Sequence, residues 1–150
     1  QDEAGKRYQY EEKPIIFDWQ LQKGEKEILG YQCQKATTKY RGRTYTAWFS
    51  KDLPFSNGPY VFDGLPGLIL EITSNDGEYH FTAIAIDKNP KEIYLRNEKD
   101  ILEISRDKFM EVKRNYHENP GFYFQGTAFN SDGSELKSNP IPYNPIELEN

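Results

Sequence analysis

At 150 residues the chain is long enough for one domain with a real core. Its net charge of −5 argues against a nucleic acid as partner, because phosphate binding rests on a basic footprint. No apolar stretch approaches the roughly 20 residues that span a bilayer, and the single cysteine, Cys33, leaves no intrachain disulfide and no zinc-like Cys/His spacing.

The apolar fraction is 36%, but aromatics reach 15%, with 11 Tyr, 9 Phe and 2 Trp. Aromatic side chains bury large areas, so a core needs few aliphatics beside them. Tyr also tolerates one wet end, which suits a sheet with a half-solvated face. The chain begins at Gln1 rather than Met, and a cleaved secretion signal would leave no trace in it.

Residues 1–13 are polar and read as an extended lead-in. Pro14-Ile-Ile-Phe17, Trp19 and Leu21 read as a strand, with Lys23-Gly-Glu-Lys26 as its turn. Residues 28–40 are β-rich, and Arg41-Gly42 predicts a hairpin turn. Residues 43–50 return as a strand, with Tyr45, Ala47 and Phe49 on one face and Thr44, Thr46 and Trp48 on the other. Trp48 among threonines reads as core. The basic run Lys39-Tyr-Arg-Gly-Arg43 reads as a charged hairpin tip. Residues 51–67, with three Gly and three Pro, exclude regular structure.

Residues 68–73 open on Leu-Ile-Leu and predict a buried strand, in which Glu71 points inward or lies on the polar face. Asn75-Asp76-Gly77 is a turn signal, and residues 78–87 answer as the partner strand, with His80, Thr82, Ile84 and Ile86 on one face. Ile93-Tyr-Leu95 and Ile101 to Ile104 are further short strands. Ser105 predicts an N-cap for a helix over about 106–117, with Phe109, Val112 and Tyr116 as its apolar stripe and Asn119-Pro120-Gly121 as its stop. Residues 126–150 read as an extended C-terminal tail on a single domain spanning 1–150.

Chemistry is hard to find. His80 and His117 lie in no nucleophile motif, and Cys33 sits mid-strand, where a buried structural thiol is the expected reading. A Cys33–His80 pair, or a metal held by Glu78, His80 and a third ligand, stays conceivable. No phosphate-cradling glycine loop is present. In Gly64-Leu65-Pro66-Gly67-Leu68-Ile69, Pro66 presets φ and Gly67 suits the left-handed position of a type II turn. Gly64 allows close backbone approach, while Leu65, Leu68 and Ile69 enter the core.

Several blocks carry a family resemblance. Gly30-Tyr31-x-Cys33-x-Lys35-Ala36, Gly42-Arg43-x-Tyr45-x-Ala47-Trp48-Phe49, Gly58-Pro59-Tyr60-x-Phe62, the segment 64–69, Trp19 and Asn144-Pro145-Ile146-Glu147-Leu148 follow one another in order. Together they resemble the GLPGLI family of secreted Bacteroidota proteins. The secretion signal and N-terminal segment usual there are missing from this chain. If that segment is part of the sheet, an open edge is left for a partner. The resemblance implies a secreted, periplasmic or outer-membrane-associated location and no reaction.

The expected fold is α+β: a mostly antiparallel, curved, half-barrel-like sheet with one C-terminal helix, its curvature tied to Gly30 and Gly42. The expected role is a cell-envelope binding or accessory module, not an enzyme, with no cofactor and no metal. Its partner would be an envelope protein, such as an outer-membrane receptor, or a small apolar or peptide ligand. The candidate binding residues are Arg43, Trp48, Tyr60 and His80. A structural scaffold, and a metal-dependent or hydrolytic enzyme using His80, are the alternatives.

Overall fold

A computed structural model describes residues 7–87, 89, 91–94, 101–120, 131, 134 and 139–148. In chain order its elements are strands β1 (Arg7–Gln9), β2 (Gln20–Ile28), β3 (Tyr31–Tyr40), β4 (Arg43–Ser50), β5 (Leu68–Ser74), β6 (His80–Thr82) and β7 (Ile101–Glu103), then helix α1 (Arg106–Glu118). They fall into two compact units, one formed by residues 1–13 and 92–144, the other by 14–91 and 145–150. Among the described residues no helix is long and apolar enough to cross a membrane.

The larger unit, 14–91 with 145–150, is an open antiparallel sheet in the order β2-β3-β4-β5-β6. Its register separates two chemistries. Leu21, Ala36, Ala47, Ile72 and Phe81 form one row across all five strands. Ala36, Ala47 and Ile72 are fully buried there beside Tyr40, Tyr45, Phe49, Phe62, Leu65 and Ile69. The irregular stretch between β4 and β5 lays Phe62 over this face. Phe62 meets the rings of Tyr45 at 4.6 Å, Phe17 at 5.2 Å and Tyr40 at 5.7 Å. A second, smaller core gathers Cys33, Leu53 and Leu70, with Leu68, Ala83 and Ile86 packed against it.

The fold is thus mostly antiparallel β with one helix, as its patterning implies, but several elements differ from their sequence reading. Residues 14–19 lie outside any strand, because Phe17 and Trp19 are spent on the aromatic cluster and Trp19 Nε1 donates to Asp63 O at 2.7 Å. Lys23-Gly24 is a bulge inside β2, between Gln22 and Glu25, rather than a turn. Gly30, like Gly42, sits at a hairpin tip with φ of +81° and +82°. The irregularities within strands are instead the bulge in β2, which contains Gly24, and a register shift at Trp48/Phe49, the kind of feature that bends a strand, while Gly30 and Gly42 lie in turns. β6 is only three residues long; Ala83 N still reaches Leu70 O, but Ile84 is left exposed.

The 64–69 segment reverses the glycine roles expected of it. Gly64 takes the left-handed φ of +86°. A side chain on Gly67 would collide with the Ser50 backbone, its Cβ lying 2.1 Å from the carbonyl oxygen. Close approach to β4, rather than a type II turn, is what requires Gly67. Leu65 and Ile69 are buried as expected and Leu68 is half-buried.

In the smaller unit β1 pairs in parallel with β7, Arg7 opposite Ile101. Helix α1 is capped as its sequence predicts: the Ser105 hydroxyl accepts from Lys108 N at 3.3 Å, and Asp107 stands in the first turn, where the helix dipole favours an acid. Phe109 stacks on Tyr10 with ring centroids 5.1 Å apart. Ile93 and Tyr94 lie outside any strand, and Leu95, Gly121 and most of the predicted tail are outside the described residues.

Candidate functional site

The four candidate residues separate onto the two faces of the five-stranded sheet. Arg43 and Tyr60 belong to the packed side, whereas Trp48 and His80 belong to the other. They do not line one common cavity.

The face bearing Trp48 is polar by register. Gln22, Lys35, Trp48, Glu71 and Thr82 stand opposite one another across β2 to β6, and Gln20, Thr37, Thr46, Thr73 and His80 form the neighbouring row. None of these residues is buried. Trp48 is half-buried in the middle, flanked by Lys26 Nζ at 4.7 Å and Lys35 Nζ at 5.9 Å from its ring centroid. It packs against the second core while staying half-buried, which is less than the core role its sequence context suggests. Lys26 Nζ donates to Glu71 Oε1 at 2.5 Å, so Glu71 lies on the polar face. The other Glu71 oxygen is 3.9 Å from His80 Nε2, which shares a hydrogen bond with Thr82 Oγ1 at 2.8 Å. The bulge at Gly24 overhangs the indole: a Cβ there would lie 3.3 Å from the ring.

The packed side carries the second cluster. Glu147 is buried, and its Oε1 accepts from Tyr40 OH at 2.8 Å and Tyr60 OH at 2.7 Å. Arg41 Nε stands 3.6 Å from Glu147 Oε2. Arg43 is buried too; it pairs with Asp76 and donates from Nη2 to Pro145 O at 3.0 Å. Burial, then the hydrogen bond to the Glu147 carboxylate, pushes the Tyr40 phenol well above its ordinary range. Burial alone dominates at Tyr45, raised to about 12. Asp76 is held low, first by the Ser74 hydroxyl and then by Glu78 N–H, with Arg43 adding to both.

The remaining candidates have structural surroundings. Cys33 is fully buried in the second core with its thiol toward Tyr31 O at 3.4 Å, and burial raises its pKa, which suppresses the thiolate. Glu78 belongs to the turn before β6, its N–H donating to Asp76 Oδ1, and the carboxylate beside His80 is Glu71 instead. Among the described residues no three His, Cys, Asp or Glu side chains are placed to hold a metal ion. Sequence reasoning missed Glu147, Lys26 and Arg41 as partners. The spacing gave no signal for Glu147, which is 107 residues from Tyr40.

A family model described as the N-glycanase peptide, N-terminal domain, matches residues 16–108. The chain belongs to this family. That match overturns the resemblance to the GLPGLI family: the blocks at 30–36, 42–49, 58–62 and 64–69 all lie inside the N-glycanase domain. Most of those residues set backbone and core, as Gly67 does against Ser50 and Phe62 does under its aromatic neighbours, so they mark a fold. Among solved structures the chain is similar to PNGF-II in a P21 crystal, with 20% identity and a TM-score of 0.46 over 70% of this chain and 20% of that one. The chain thus spans about a fifth of the length of that protein. The comparison with curated proteins returned no match.

Proposed function

We propose that the unit 14–91 with 145–150 is a non-catalytic binding module of an N-glycanase-type protein, and that it holds a glycoprotein substrate on the polar face around Trp48. One observation carries this reading. Two adjacent rows cross all five strands with hydroxyls, amides and charged groups, and a single indole stands among them. Such a surface offers many donors and acceptors to a hydroxylated ligand and one flat apolar plate for its C–H face. The other face of the same sheet is filled by its own core. The family description supplies the substrate class, since an N-glycanase acts by its name on N-linked glycans.

The chemistry of these carboxylates favours holding over cleaving. Glu71 is engaged by Lys26, Glu147 by two phenols, and Asp76 by Arg43 and Ser74. A setting where N-glycosylated proteins are met, outside the cytoplasm, is part of the proposal.

The test is biolayer interferometry with the immobilised chain, a protein bearing N-linked glycans, and the same protein after deglycosylation. Binding is expected for the glycosylated form, with at least a tenfold loss in Trp48→Ala. Equal binding of the two forms, or unchanged binding by the variant, would sink the reading.

A further inference from the structure

The clamp on Glu147 points to a second binding site, independent of the Trp48 face. Residues 145–148 lie outside any strand, yet β3, β4 and the β4–β5 connection hold them at nearly every group. Three contacts reach their backbone: Arg43 Nη2 to Pro145 O at 3.0 Å, Tyr45 OH to Ile146 O at 3.0 Å, and Leu148 N to Arg41 O at 2.9 Å. The Ile146 side chain packs against the aromatic core. The Glu147 carboxylate meets Tyr40, Tyr60 and Arg41.

This division of labour is that of a peptide groove: backbone bonds give affinity, while a polar pocket and an apolar pocket read the side chains. A second feature lies at Tyr60, between β4 and β5, which holds a left-handed backbone with φ of +58°. A non-glycine residue adopts that region at a cost, and such strain gathers at ligand clamps. Its hydroxyl donates to the Glu147 carboxylate, which Arg41 approaches from the tip of the β3–β4 hairpin, where the turn itself sets the positive φ. The family match ends at residue 108, so the occupant of the groove lies outside it.

We propose that Tyr40, Arg41, Arg43, Tyr45 and Tyr60 form a binding groove for an extended peptide with a glutamate between aliphatic residues, and that residues 145–148 occupy it in cis. The cis segment acts as a built-in competitor. A tethered ligand has an effective concentration in the millimolar range, so a peptide in trans must bind well or meet a weakened tether.

The test uses the full chain and a fluorescent peptide of the sequence of residues 143–148, Tyr-Asn-Pro-Ile-Glu-Leu, read by anisotropy. The Glu147→Ala chain is expected to bind it at least tenfold tighter than the native chain does. Replacing the peptide's own glutamate by glutamine is expected to cost at least tenfold. Equal affinity for the two chains, no loss on glutamine replacement, or no binding by a folded Glu147→Ala chain would each overturn the proposal. Should Glu147→Ala fail to fold, native-state hydrogen exchange on the unaltered chain decides. The Leu148 N–H is expected to exchange through a local opening, at least a hundredfold faster than the amides of β4. Protection equal to that of β4 would make the segment a permanent strap and refute the groove.

Discussion

Exchanging the two glycines of the 64–69 segment for alanine, one at a time, tests how that segment is built. At Gly64 the added methyl finds room, its nearest neighbours being Trp19 Nε1 at 3.7 Å and Cδ1 at 3.8 Å. The cost there is conformational: an L-residue at a φ of +86° loses roughly 1–2 kcal/mol, offset by about 0.5–1 kcal/mol from the stiffer unfolded chain. Gly64→Ala is therefore expected to destabilise by about 1 kcal/mol. At Gly67 the methyl would stand 2.1 Å from Ser50 O and 2.6 Å from Ser50 C, where an ordinary C···O contact is about 3.3–3.6 Å. All the crowding atoms are backbone, so no side chain can swing away. Relief requires moving the end of β4 or the start of β5, at the expense of the Leu68 N to Leu53 O bond of 2.9 Å. Overpacking of about 1–3 kcal/mol, together with about 1 kcal/mol for that bond, puts Gly67→Ala near 3 kcal/mol. Urea unfolding followed by tryptophan fluorescence reports on this unit, because Trp19 and Trp48 both lie in it. With m near 1 kcal/mol/M, the midpoint falls by about 1 M for Gly64→Ala and by about 3 M for Gly67→Ala. A Gly67→Ala midpoint at or above that of Gly64→Ala would refute the close-approach argument and restore the type II turn.

Three further outcomes follow from the core. Phe62→Ala removes the ring that meets five aromatic neighbours and is expected to cost about 3–5 kcal/mol, with a red-shifted Trp19 emission; a loss under 1 kcal/mol would contradict its central place. The Thr38 hydroxyl is buried with no hydrogen-bond partner among the described residues, so Thr38→Val is expected to leave stability unchanged or raise it by up to about 1 kcal/mol, and a fall of that size in calorimetry would point to a partner. Tyr45 has its folded pKa raised from 10.0 to about 12, so the folded state favours the neutral phenol. That stabilisation is fully present below pH 10 and is lost as pH rises through about 12. It amounts to about 3 kcal/mol at roughly 1.4 kcal/mol per unit. Tyr45→Phe is expected to flatten the alkaline fall of the urea midpoint, and an unchanged alkaline fall would count against burial as its cause.

Local signals carried the fold well where they were local. Arg41-Gly42 and Asn75-Asp76-Gly77 made their hairpin turns, Ser105 capped its helix, and the alternation of β4 placed Tyr45, Ala47 and Phe49 inward. The misreadings arose where a distant partner decides. Lys23-Gly24 has turn composition, yet continued pairing of Glu25 with Gln34 keeps the chain in β2 and makes it a bulge. Residues 14–19 alternate like a strand, but Phe17 and Trp19 answer to Phe62 and Asp63 across more than forty positions. The candidate site shows the same limit. Arg43, Trp48, Tyr60 and His80 are chemically capable side chains, and each has a specific partner. The alternation of β4 separates Arg43 from Trp48, but no periodicity shows that Arg43 and Tyr60 serve Asp76 and Glu147 while Trp48 and His80 stand by Glu71.

The fate of the basic run Lys39-Tyr-Arg-Gly-Arg43 sharpens what the polar face can recognise. Arg43 is turned inward to Asp76 and Pro145 O, and Arg41 to the Glu147 carboxylate, so neither cation is available to the face around Trp48. On that face Lys26 is matched by Glu71, which leaves Lys35 as the cation beside the indole with no carboxylate within ion-pair distance among the described residues. On the proposed reading, affinity there comes mainly from neutral hydroxyl and amide groups and from the indole, with Lys35 as the cation engaged. A contact that neutralises one charge changes affinity by a factor close to the change in salt, whereas a surface with six to ten such contacts loses orders of magnitude. Raising sodium chloride from 100 to 500 mM is therefore expected to weaken glycoprotein binding by less than about fivefold, measured in the same interferometry assay. Lys35→Ala is expected to abolish even that dependence while retaining most of the affinity. A loss of fiftyfold or more over the same salt range would mean that recognition is electrostatic, and the polar rows around Trp48 would then be the wrong surface.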